Sequence, residues 1–457
     1  MSQEIKIAII GGGAFRTPRL LYGLIRHADS LRIDRIDLFD PDTERLHSMG
    51  RLCQHIAAKL GSQIQLMAQP TLAKAVQDAA FVLLTYRIGG EGARAYDERV
   101  ALDNGVLGQE TVGPGGFFMA LRSLPATLNY VDAIRCLAPD AWIINFTNPA
   151  GIVTEAVSRV GGERFVGVCD TPYHLQLEIA EFLQLTADEI RVESVGLNHL
   201  GWFQRVWHRG EDLMPALLSR AEDLVATVRP LSFFTGEYLQ KLGVLPTEYV
   251  YFYLHYQEVV ARIQGKQSRG EAIQGVASAF FPKLARLVAS HQLEEAWIEY
   301  GQTITSRSNS YLANETASPF LRGLNPDALF QSEGYEGVAI RVMEGITGIA
   351  ERSVILNTPG YGTLPGLAPR DVIETTCFVD RHGIVPLALT RSLPEACLHL
   401  ITRTKRYEIL TIVAAESQRL DDAVIALAAN PVMDGNATLS EQVIRSRIDK
   451  PGAPVFR

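Results

Sequence analysis

The chain has 457 residues, which is enough for two large domains or about three of average size. Apolar residues make up 47% of it and charged residues 21%, so a disordered, collagen-like or coiled-coil chain is excluded. The formal net charge of −8 gives no overall attraction to nucleic acid or to an anionic membrane, so an anionic ligand must bind at a local basic site.

The N-terminus reads MSQEIKIAIIGGG, and its apolar part is too short and too interrupted for a signal peptide. No other stretch has the roughly 18–20 uninterrupted apolar residues of a membrane span. Five cysteines are scattered along the chain, and this odd number favours reduced thiols over a disulfide framework. We therefore expect a cytoplasmic protein.

The first forty residues predict a dinucleotide-binding unit. Residues 6–10 form a β-branched apolar run typical of a buried strand, and three glycines (11–13) follow at once. A helix is predicted from Pro18, and a second strand over residues 33–39 ends in Asp40. Strand, glycine turn, helix, strand and acid follow in the order of that unit, although a glycine-rich turn of another α/β fold would also fit.

In such a unit, backbone N–H groups of the turn and the N-terminus of the helix bind a pyrophosphate. Asp40 would accept hydrogen bonds from the adenosine ribose, and its charge would repel a 2′-phosphate, which favours NAD over NADP. The third glycine of the usual motif is replaced by Arg16. The turn residues expected to contact the cofactor are Gly11, Gly13, Ala14 and Phe15.

The alternation of strands and helices continues beyond this unit. Further strands are predicted over residues 80–86, 142–146 and 164–168, which indicates a parallel sheet with right-handed crossovers up to about residue 195. Longer helices, a second strand-rich patch and a helical tail follow; they are predicted at residues 213–228, 270–290, 353–360, 371–380 and 394–429. We therefore expect a Rossmann-like α/β domain over residues 1–195 and an α+β catalytic and oligomerisation domain over residues 196–457.

Polar residues follow several predicted strands, at the sheet edge where doubly wound folds bind ligands. Asn148 lies after one strand, Cys169 and Asp170 after the next, and Asn198 with His199 slightly later. A thiolate and an imidazole that converge can bind a divalent metal and leave coordination positions open for substrate. Each residue also has a structural interpretation, as a small core cysteine, a structural histidine or a helix-capping aspartate.

Several segments in this order resemble glycoside hydrolase family 4. They are GGGAFRTP, GQETVGPGG, NFTNPAGIVTEA, GVCDTP and GLNHLGW, followed by LPTEYVYFY and SRGE, and the resemblance runs from residue 6 to about residue 429. It implies a fold similar to lactate and malate dehydrogenases and the use of NAD with Mn²⁺ to cleave glycosides, often 6-phosphorylated ones. The implied route is oxidation at C3 of the sugar, removal of the C2 proton, elimination at C1, addition of water and re-reduction.

The resemblance also implies roles for particular residues. Cys169 and His199 match the metal ligands, and Asn148 matches a residue that contacts sugar hydroxyls and the cofactor region. Tyr249 matches the proposed base at C2, a role that requires a metal or cation to lower its ordinary pKa of about 10. Asp170 matches the acid that protonates the leaving oxygen. An aromatic core stripe is the alternative interpretation for Tyr249.

Two arginines bear on the substrate, because Arg94 and Arg269 align with positions that contact the 6-phosphate in the family. Guanidinium groups suit tetrahedral oxyanions, although either residue could be a plain surface arginine. Asn198 is expected to contact the sugar, and Arg87 is a third candidate for the C6 group. A phosphate is the first expectation there, and a sulfonate, as in sulfoquinovosides, stays open.

The anomer is contested within the resemblance. The Cys169–Asp170 pair resembles phospho-α-glucosidases, whereas the longer matched segments resemble 6-phospho-β-glucosidases, and we favour the β anomer on the larger matched area. A plain NAD-dependent dehydrogenase of a sugar or hydroxy acid is one alternative, and a non-enzymatic NAD-sensing protein is another. The resemblance suggests a homodimer or homotetramer.

Overall fold

The computed structural model describes residues 4–311 and 334–456, together with residues 325, 326 and 330. In this part of the chain a single mixed sheet of 13 strands runs through the molecule. The strands are β1 (Ile5–Ile10), β2 (Ile33–Phe39), β3 (Gln65–Ala68), β4 (Phe81–Leu84), β5 (Trp142–Asn145), β6 (Phe165–Gly167), β7 (Arg191–Leu197), β8 (Leu200–His208), β9 (Glu211–Asp212), β10 (Leu245–Pro246), β11 (Arg352–Pro359), β12 (Val372–Asp380) and β13 (Gly383–Pro386).

Helices connect and flank these strands. They are α1 (Thr17–Arg26), α2 (Ala28–Leu31), α3 (Thr43–Lys59), α4 (Leu72–Val76), α5 (Gly90–Asp103), α6 (Pro114–Leu137), α7 (Ala150–Arg159), α8 (Thr171–Phe182), α9 (Met214–Ser219), α10 (Ala221–Thr227), α11 (Gly236–Leu242), α12 (Val250–Leu254), α13 (Tyr256–Ile263), α14 (Arg269–Ala289), α15 (Leu293–Asn309), α16 (Tyr335–Ile346), α17 (Glu395–Ser417), α18 (Leu420–Ala428) and α19 (Ala437–Ile448). In the described ranges, two 3₁₀ turns cover Arg229–Leu231 and Pro431–Met433.

Half of the sheet is the predicted dinucleotide-binding unit. Strands β3, β2, β1, β4, β5 and β6 lie side by side in that order and all run parallel, which is the strand order of the Rossmann fold. The four residues 7–10 of β1 are completely buried, as the continuous apolar run predicts. Pro18 lies in the first turn of α1, directly after the glycine turn. The predicted Rossmann-like α/β fold is confirmed.

The other half of the sheet is antiparallel and continues from β6 without a break. Strand β11 pairs antiparallel with β6, and β12, β7, β8 and β10 extend the sheet beyond it. The prediction that the parallel sheet reaches about residue 195 is therefore wrong, because β7 forms a hairpin with β8 across the two-residue turn Asn198–His199. The domain boundary at residue 195 stays a prediction, since one sheet contains strands from both sides of it.

The predicted helices are present, but two of the predicted segments are each divided into two helices. The segment 213–228 contains two helices, α9 and α10, separated at Arg220, and the tail is divided between α17 and α18. Helix α14 begins at Arg269 because Ser268 and Glu271 form a capping box at its N-terminus. Among the described residues, no helix is long and apolar enough to cross a membrane.

Candidate active site

The glycine turn after β1 is held by close backbone packing and by Asp40. Gly11 has a φ of +100°, and a Cβ there would lie 2.6 Å from the backbone nitrogen of Tyr86, so only glycine fits. The N–H of Gly13 donates to Oδ2 of Asp40 at 3.0 Å. Asp40 thus shapes the turn in addition to the ribose contact predicted for it. Burial raises the pKa of Asp40 despite two backbone N–H donors.

Phe15 faces the core with its side chain. It is 3% exposed and its ring packs on Phe280, 5.0 Å away between centroids, while its carbonyl accepts a hydrogen bond from the Tyr300 hydroxyl. Only the backbone N–H of Phe15 is therefore left for the cofactor contact predicted for this residue. Its neighbour Ala14 is partly exposed.

Cys169 lies two residues after β6 and is buried. Burial raises its thiol pKa well above the usual value, and the nearby carboxylates Glu374 and Asp170 raise it further, against donation to the sulfur from Thr171. The thiol is therefore protonated at neutral pH in the metal-free protein. Metal binding would release this proton, because the thiolate is the ligand.

His199 is buried in the turn between β7 and β8, with a φ of +62°. Burial lowers its pKa to about 4, so the imidazole is neutral at pH 7 and keeps a lone pair. Nδ1 lies 2.7 Å from the Thr111 hydroxyl. If Nδ1–H donates to this hydroxyl, Nε2 carries the lone pair and is the nitrogen that can bind a metal.

Tyr249 stacks on His199, with ring centroids 3.9 Å apart and planes inclined by 7°. Its hydroxyl lies 2.9 Å from the Tyr311 hydroxyl, which lies 2.8 Å from Oε1 of Glu248. Burial and the carboxylates Glu248 and Glu110 raise the pKa of Tyr249 well above 10. The hydrogen bond with Tyr311 acts the other way but does not outweigh them, so the net shift is opposite to the lowered pKa that the predicted role as a base requires.

Asp170 lies at the N-terminus of α8, near Arg16 (3.8 Å) and His174 (3.6 Å). Burial would raise its pKa, but the interaction with His174 and the charge of Arg16 outweigh burial and lower it to about 2. At neutral pH Asp170 is ionised, which is the wrong protonation state for the predicted acid unless a proton arrives from His174.

The two predicted asparagines differ in their surroundings. Asn198 donates from Nδ2 to Oε1 of Glu374 at 3.0 Å, which turns its own carbonyl oxygen away from that carboxylate. Asn148 is partly exposed after β5, and a cis peptide joins it to Pro149 at the start of α7.

Arg94 is a buried member of an ion-pair network. Its Nε donates to Glu98 at 2.7 Å, and its Nη1 pairs with Glu110 at 2.7 Å. Arg87 pairs with the second oxygen of Glu110 at 2.5 Å. Glu98 also accepts the backbone N–H of Gly270, which joins α5 to the start of α14 and brings Arg94 towards Arg269. The two arginines predicted to bind one group thus lie on helices in contact.

Arg269 donates to the carbonyl and hydroxyl oxygens of Ser310 and to the carbonyl of Arg307. Burial lowers the pKa of Arg307 to about 9, and the charges of Arg16, Arg94, Arg87 and Arg269 act in the same direction. Several guanidinium groups therefore gather at one place, which is the expected surrounding of an anionic ligand.

The donor chemistry of Cys169 and His199 fits a divalent metal ion. A neutral imidazole with one nitrogen oriented by Thr111 and a thiol able to lose its proton are suitable ligands. In the part of the chain that the structure describes, no three His, Cys, Asp or Glu side chains cluster as ligands. The pair would therefore leave several coordination positions to substrate and water.

Some candidate residues were missed by the sequence-based prediction. The missed residues at or beside the site are His174, Glu248, Arg307, Tyr311 and Glu374. Glu248 lies inside a recognised segment, but the other four lie in helices, strands or turns with no local motif. Only their spatial neighbours indicate a role.

The described fold defines a dehydrogenase-like α/β protein with a polar site at the carboxyl ends of its parallel strands. A lactate dehydrogenase from a Medee basin deep-sea metagenome library has this fold, with a TM-score of 0.52 and 11% identity over 90% of this chain and all of that one. The model of "Family 4 glycosyl hydrolase" matches residues 6–185, and the model of its C-terminal domain matches residues 194–433. The chain belongs to family 4 of the glycoside hydrolases.

Two curated relatives carry different specificities in their names. The chain is 30% identical to the 6-phospho-beta-glucosidase of Escherichia coli (strain K12), covering 95% of this chain and 92% of that protein. It is 25% identical to 6-phospho-alpha-glucosidase 1 of Lacticaseibacillus paracasei, covering 91% and 90% respectively.

Solved structures of a third relative are similar over almost the whole chain. The 6-phospho-beta glucosidase of Thermotoga maritima, solved with NAD and glucose-6-phosphate, gives a TM-score of 0.82 at 26% identity and covers 97% of this chain and 98% of that one. A second form of that enzyme, solved with manganese, NAD⁺ and glucose-6-phosphate, gives a TM-score of 0.79.

Proposed function

We propose that this glycosidase uses NAD and a divalent metal, Mn²⁺ first, to hydrolyse a 6-phospho-β-glucoside. The proposed sequence is oxidation at C3, removal of the C2 proton, elimination at C1, addition of water and re-reduction at C3. The observation that carries the proposal is the stacking of Tyr249 on a buried, neutral His199 whose Nδ1 is already bound to Thr111. This arrangement places a candidate base beside a candidate metal ligand.

Cys169 and His199 would hold the metal, and the turn from Gly11 to Phe15 would hold the pyrophosphate of NAD. When bound, NAD supplies reversible hydride acceptance at C3 and the metal supplies Lewis acidity towards the C3 oxygen. Oxidation at C3 makes the C2 proton acidic, which is the condition under which a tyrosine can remove it.

Tyr249 would take the C2 proton. Its hydroxyl must first be deprotonated, and the hydroxyl of Tyr311 and the carboxylate of Glu248 form a hydrogen-bonded path that can take up that proton. Burial raises the pKa of Glu248, so this carboxyl can hold a proton nearer to neutral pH than an exposed glutamate can. The positive charge of the site then has to stabilise the phenolate.

Asp170 would serve as the acid for the leaving oxygen together with His174 rather than alone. Asp170 is ionised at neutral pH, so a proton given to the leaving group has to be shared through His174, whose Nε2 lies 3.6 Å away. Substrate that displaces water would favour the neutral carboxylic acid by burying it further.

Arg94, Arg269 and Arg87 support an anionic group at C6 of the sugar. A phosphate is favoured by the names of the curated relatives, while a sulfonate has the same tetrahedral shape and stays an alternative. Asn148 and Asn198 would contact sugar hydroxyls. Asn198 presents its carbonyl oxygen to such a hydroxyl because its amide is bound to Glu374.

The β anomer is favoured because the relative named for it is 30% identical, against 25% for the one named for the α anomer. The α anomer is the second candidate, since Cys169–Asp170 matches the sequence typical of phospho-α-glucosidases. A redox elimination at C2 and C3 is less restricted by anomeric geometry than a direct displacement at C1.

A substrate panel tests the proposal. Chromogenic α- and β-glucosides, each with and without 6-phosphate or 6-sulfonate, are incubated with NAD, Mn²⁺ and a thiol reductant. We expect release of the aglycone from the 6-phospho-β-glucoside with no net change in NADH. Accumulation of NADH in step with substrate loss would instead identify a simple dehydrogenase, and turnover independent of NAD would overturn the redox route.

A further inference from the structure

Glu374 is a buried acid hydrogen-bonded to the turn that contains His199. It belongs to β12, is 3% exposed, and its Oε1 accepts hydrogen bonds from Nδ2 of Asn198 and Nδ2 of Asn357, both at 3.0 Å. Within residues 4–311 and 334–456, no Arg, Lys or His forms an ion pair with this carboxylate. A buried acid that serves only two amides is costly for the fold, because an apolar side chain would avoid its desolvation.

One of the two amides lies in the turn that contains His199, and the other lies on β11, beside the strand end that leads to Cys169. Asn357 pairs across the sheet with Gly167, the last residue of β6 and two residues before Cys169. Asn198 is the residue before His199 in the turn after β7. Glu374 therefore connects, through one oxygen atom, the strand end that leads to Cys169 and the turn that contains His199.

The sheet register explains why such a connection is needed. Gly167, Asn357, Glu374 and Gly196 are successive partners in one row across β6, β11, β12 and β7. Three strand spacings of about 4.8 Å separate β6 from β7, roughly 14 Å in all. The segments after these two strands must therefore lean towards each other for a thiol and an imidazole to share one ion, and no backbone hydrogen bond joins the two strands directly.

Helix α7 packs against the two asparagines that Glu374 binds. A Cβ at Gly151 would lie 2.9 Å from Cβ of Asn198 and 3.6 Å from Oδ1 of Asn357. The start of α7 is therefore packed closely against both asparagine side chains. The Asn198 side chain therefore lies between α7 and Glu374, and it is hydrogen-bonded to Glu374. Its neighbour His199 has a positive φ, as central residues of tight turns often do.

We propose that Glu374 is a positioning residue of the active site, which holds Asn198 and Asn357 so that the His199 turn and the Cys169 strand end can bind one metal ion. The inference rests on the proposed metal site of this glycosidase. Groups that hydrogen-bond a metal ligand directly usually change metal affinity by about 10–100-fold when they are removed, and we expect the same range for Glu374.

The test measures Mn²⁺ binding directly, from the electron paramagnetic resonance signal of free Mn²⁺, in the NAD-loaded protein. Glu374→Ala should weaken Mn²⁺ binding by about 10–100-fold. Glu374→Gln should stay within about threefold of the wild type, because its carbonyl oxygen can still accept both amides. Asn357→Ala, which leaves Glu374 in place and removes one amide, should weaken binding by an intermediate amount.

Glu193→Ala is the matched control. Glu193 is 7% exposed on β7 of the same sheet, and its carboxylate is bound by Thr390 away from the two asparagines, so Mn²⁺ binding should not change. The melting temperature and the NAD dissociation constant of every variant show whether it is folded.

Three results would overturn the role of Glu374. The first is that folded Glu374→Ala binds Mn²⁺ as tightly as the wild type. The second is that Glu374→Gln and Glu374→Ala weaken Mn²⁺ binding equally. The third is that Glu193→Ala weakens Mn²⁺ binding as much as Glu374→Ala does. If Glu374→Ala does not fold, Asn357→Ala decides, and unchanged binding there would contradict the proposal. If the wild type does not bind Mn²⁺, the metal site itself is overturned. If the wild type is a glycosidase and both Glu374→Ala and Asn357→Ala still bind Mn²⁺ tightly, only the role of Glu374 is overturned.

Discussion

Replacement of Arg269 is the cleanest test of how the C6 group is recognised. Arg94 and Arg269 are both candidates, but Arg94 is buried and pairs with Glu98 and Glu110. Removing one partner of a buried ion pair costs about 3–5 kcal/mol because it leaves an uncompensated charge. Any loss of activity in Arg94→Ala would therefore combine a lost substrate contact with a loss of folding stability.

Arg269 is only partly buried, and it donates to uncharged oxygens of Ser310 and Arg307. Losing one charge-assisted contact to the substrate costs about 1.5–3 kcal/mol. At 1.4 kcal/mol for each factor of ten, kcat/KM for the C6-charged glucoside should fall by one to two powers of ten in Arg269→Ala. Arg269→Lys should recover part of this, because lysine keeps the charge and lacks the planar fork.

The assay compares kcat/KM for the 6-phospho-glucoside and its neutral parent in the wild type, Arg269→Ala and Arg269→Lys. Arg286→Ala, an exposed arginine near the other end of α14, is the control and should behave as the wild type. The NAD dissociation constant should be the same in all of them. An unchanged ratio of charged to neutral substrate in Arg269→Ala would refute the role of Arg269 in binding the C6 group.

Three further results are expected. Cys169→Ser and His199→Ala should each lose most activity while keeping NAD binding, and normal turnover in either would exclude the metal site. Thr111→Val should weaken Mn²⁺ binding by about 10–100-fold, whereas Thr127→Val on α6 should leave it unchanged. In the metal-free protein, burial lowers the pKa of His199 from 6.5 to about 4, so the unfolded chain binds more protons between these values. The contribution of neutral His199 to the free energy of unfolding is fully present above pH 6.5, and about 3 kcal/mol of it is lost as the pH falls to 4. Denaturant unfolding of His199→Gln should not show this loss.

The parallel half of the fold was predictable because its signals are local. The buried run of β1, the glycines after it and Asp40 at the end of β2 lie within 40 residues, and each has a direct physical meaning. The antiparallel half was not predictable in the same way. β11 and β12 were expected as strands, but nothing in their sequence says that β11 pairs with β6, about 190 residues earlier in the chain.

The site was predictable where a residue belongs to a segment with a recognisable pattern. Cys169, His199 and Tyr249 were proposed in this way, and Tyr249 does lie against His199. The ionisation states were not predictable, since the low pKa of Asp170 depends on His174 and the raised pKa of Tyr249 depends on burial among carboxylates. Such effects depend on neighbours in space rather than on neighbours in sequence.

The position of solvent deuterium in the product tests the central claim most directly. If hydrolysis proceeds through C3 oxidation and removal of the C2 proton by Tyr249, turnover in D₂O should place deuterium at C2 of the released sugar. Mass spectrometry and proton NMR of the sugar measure this, with the sugar incubated alone in D₂O as the control. A hydrolysed product whose C2 carries only protium would contradict the redox route and indicate direct displacement at C1.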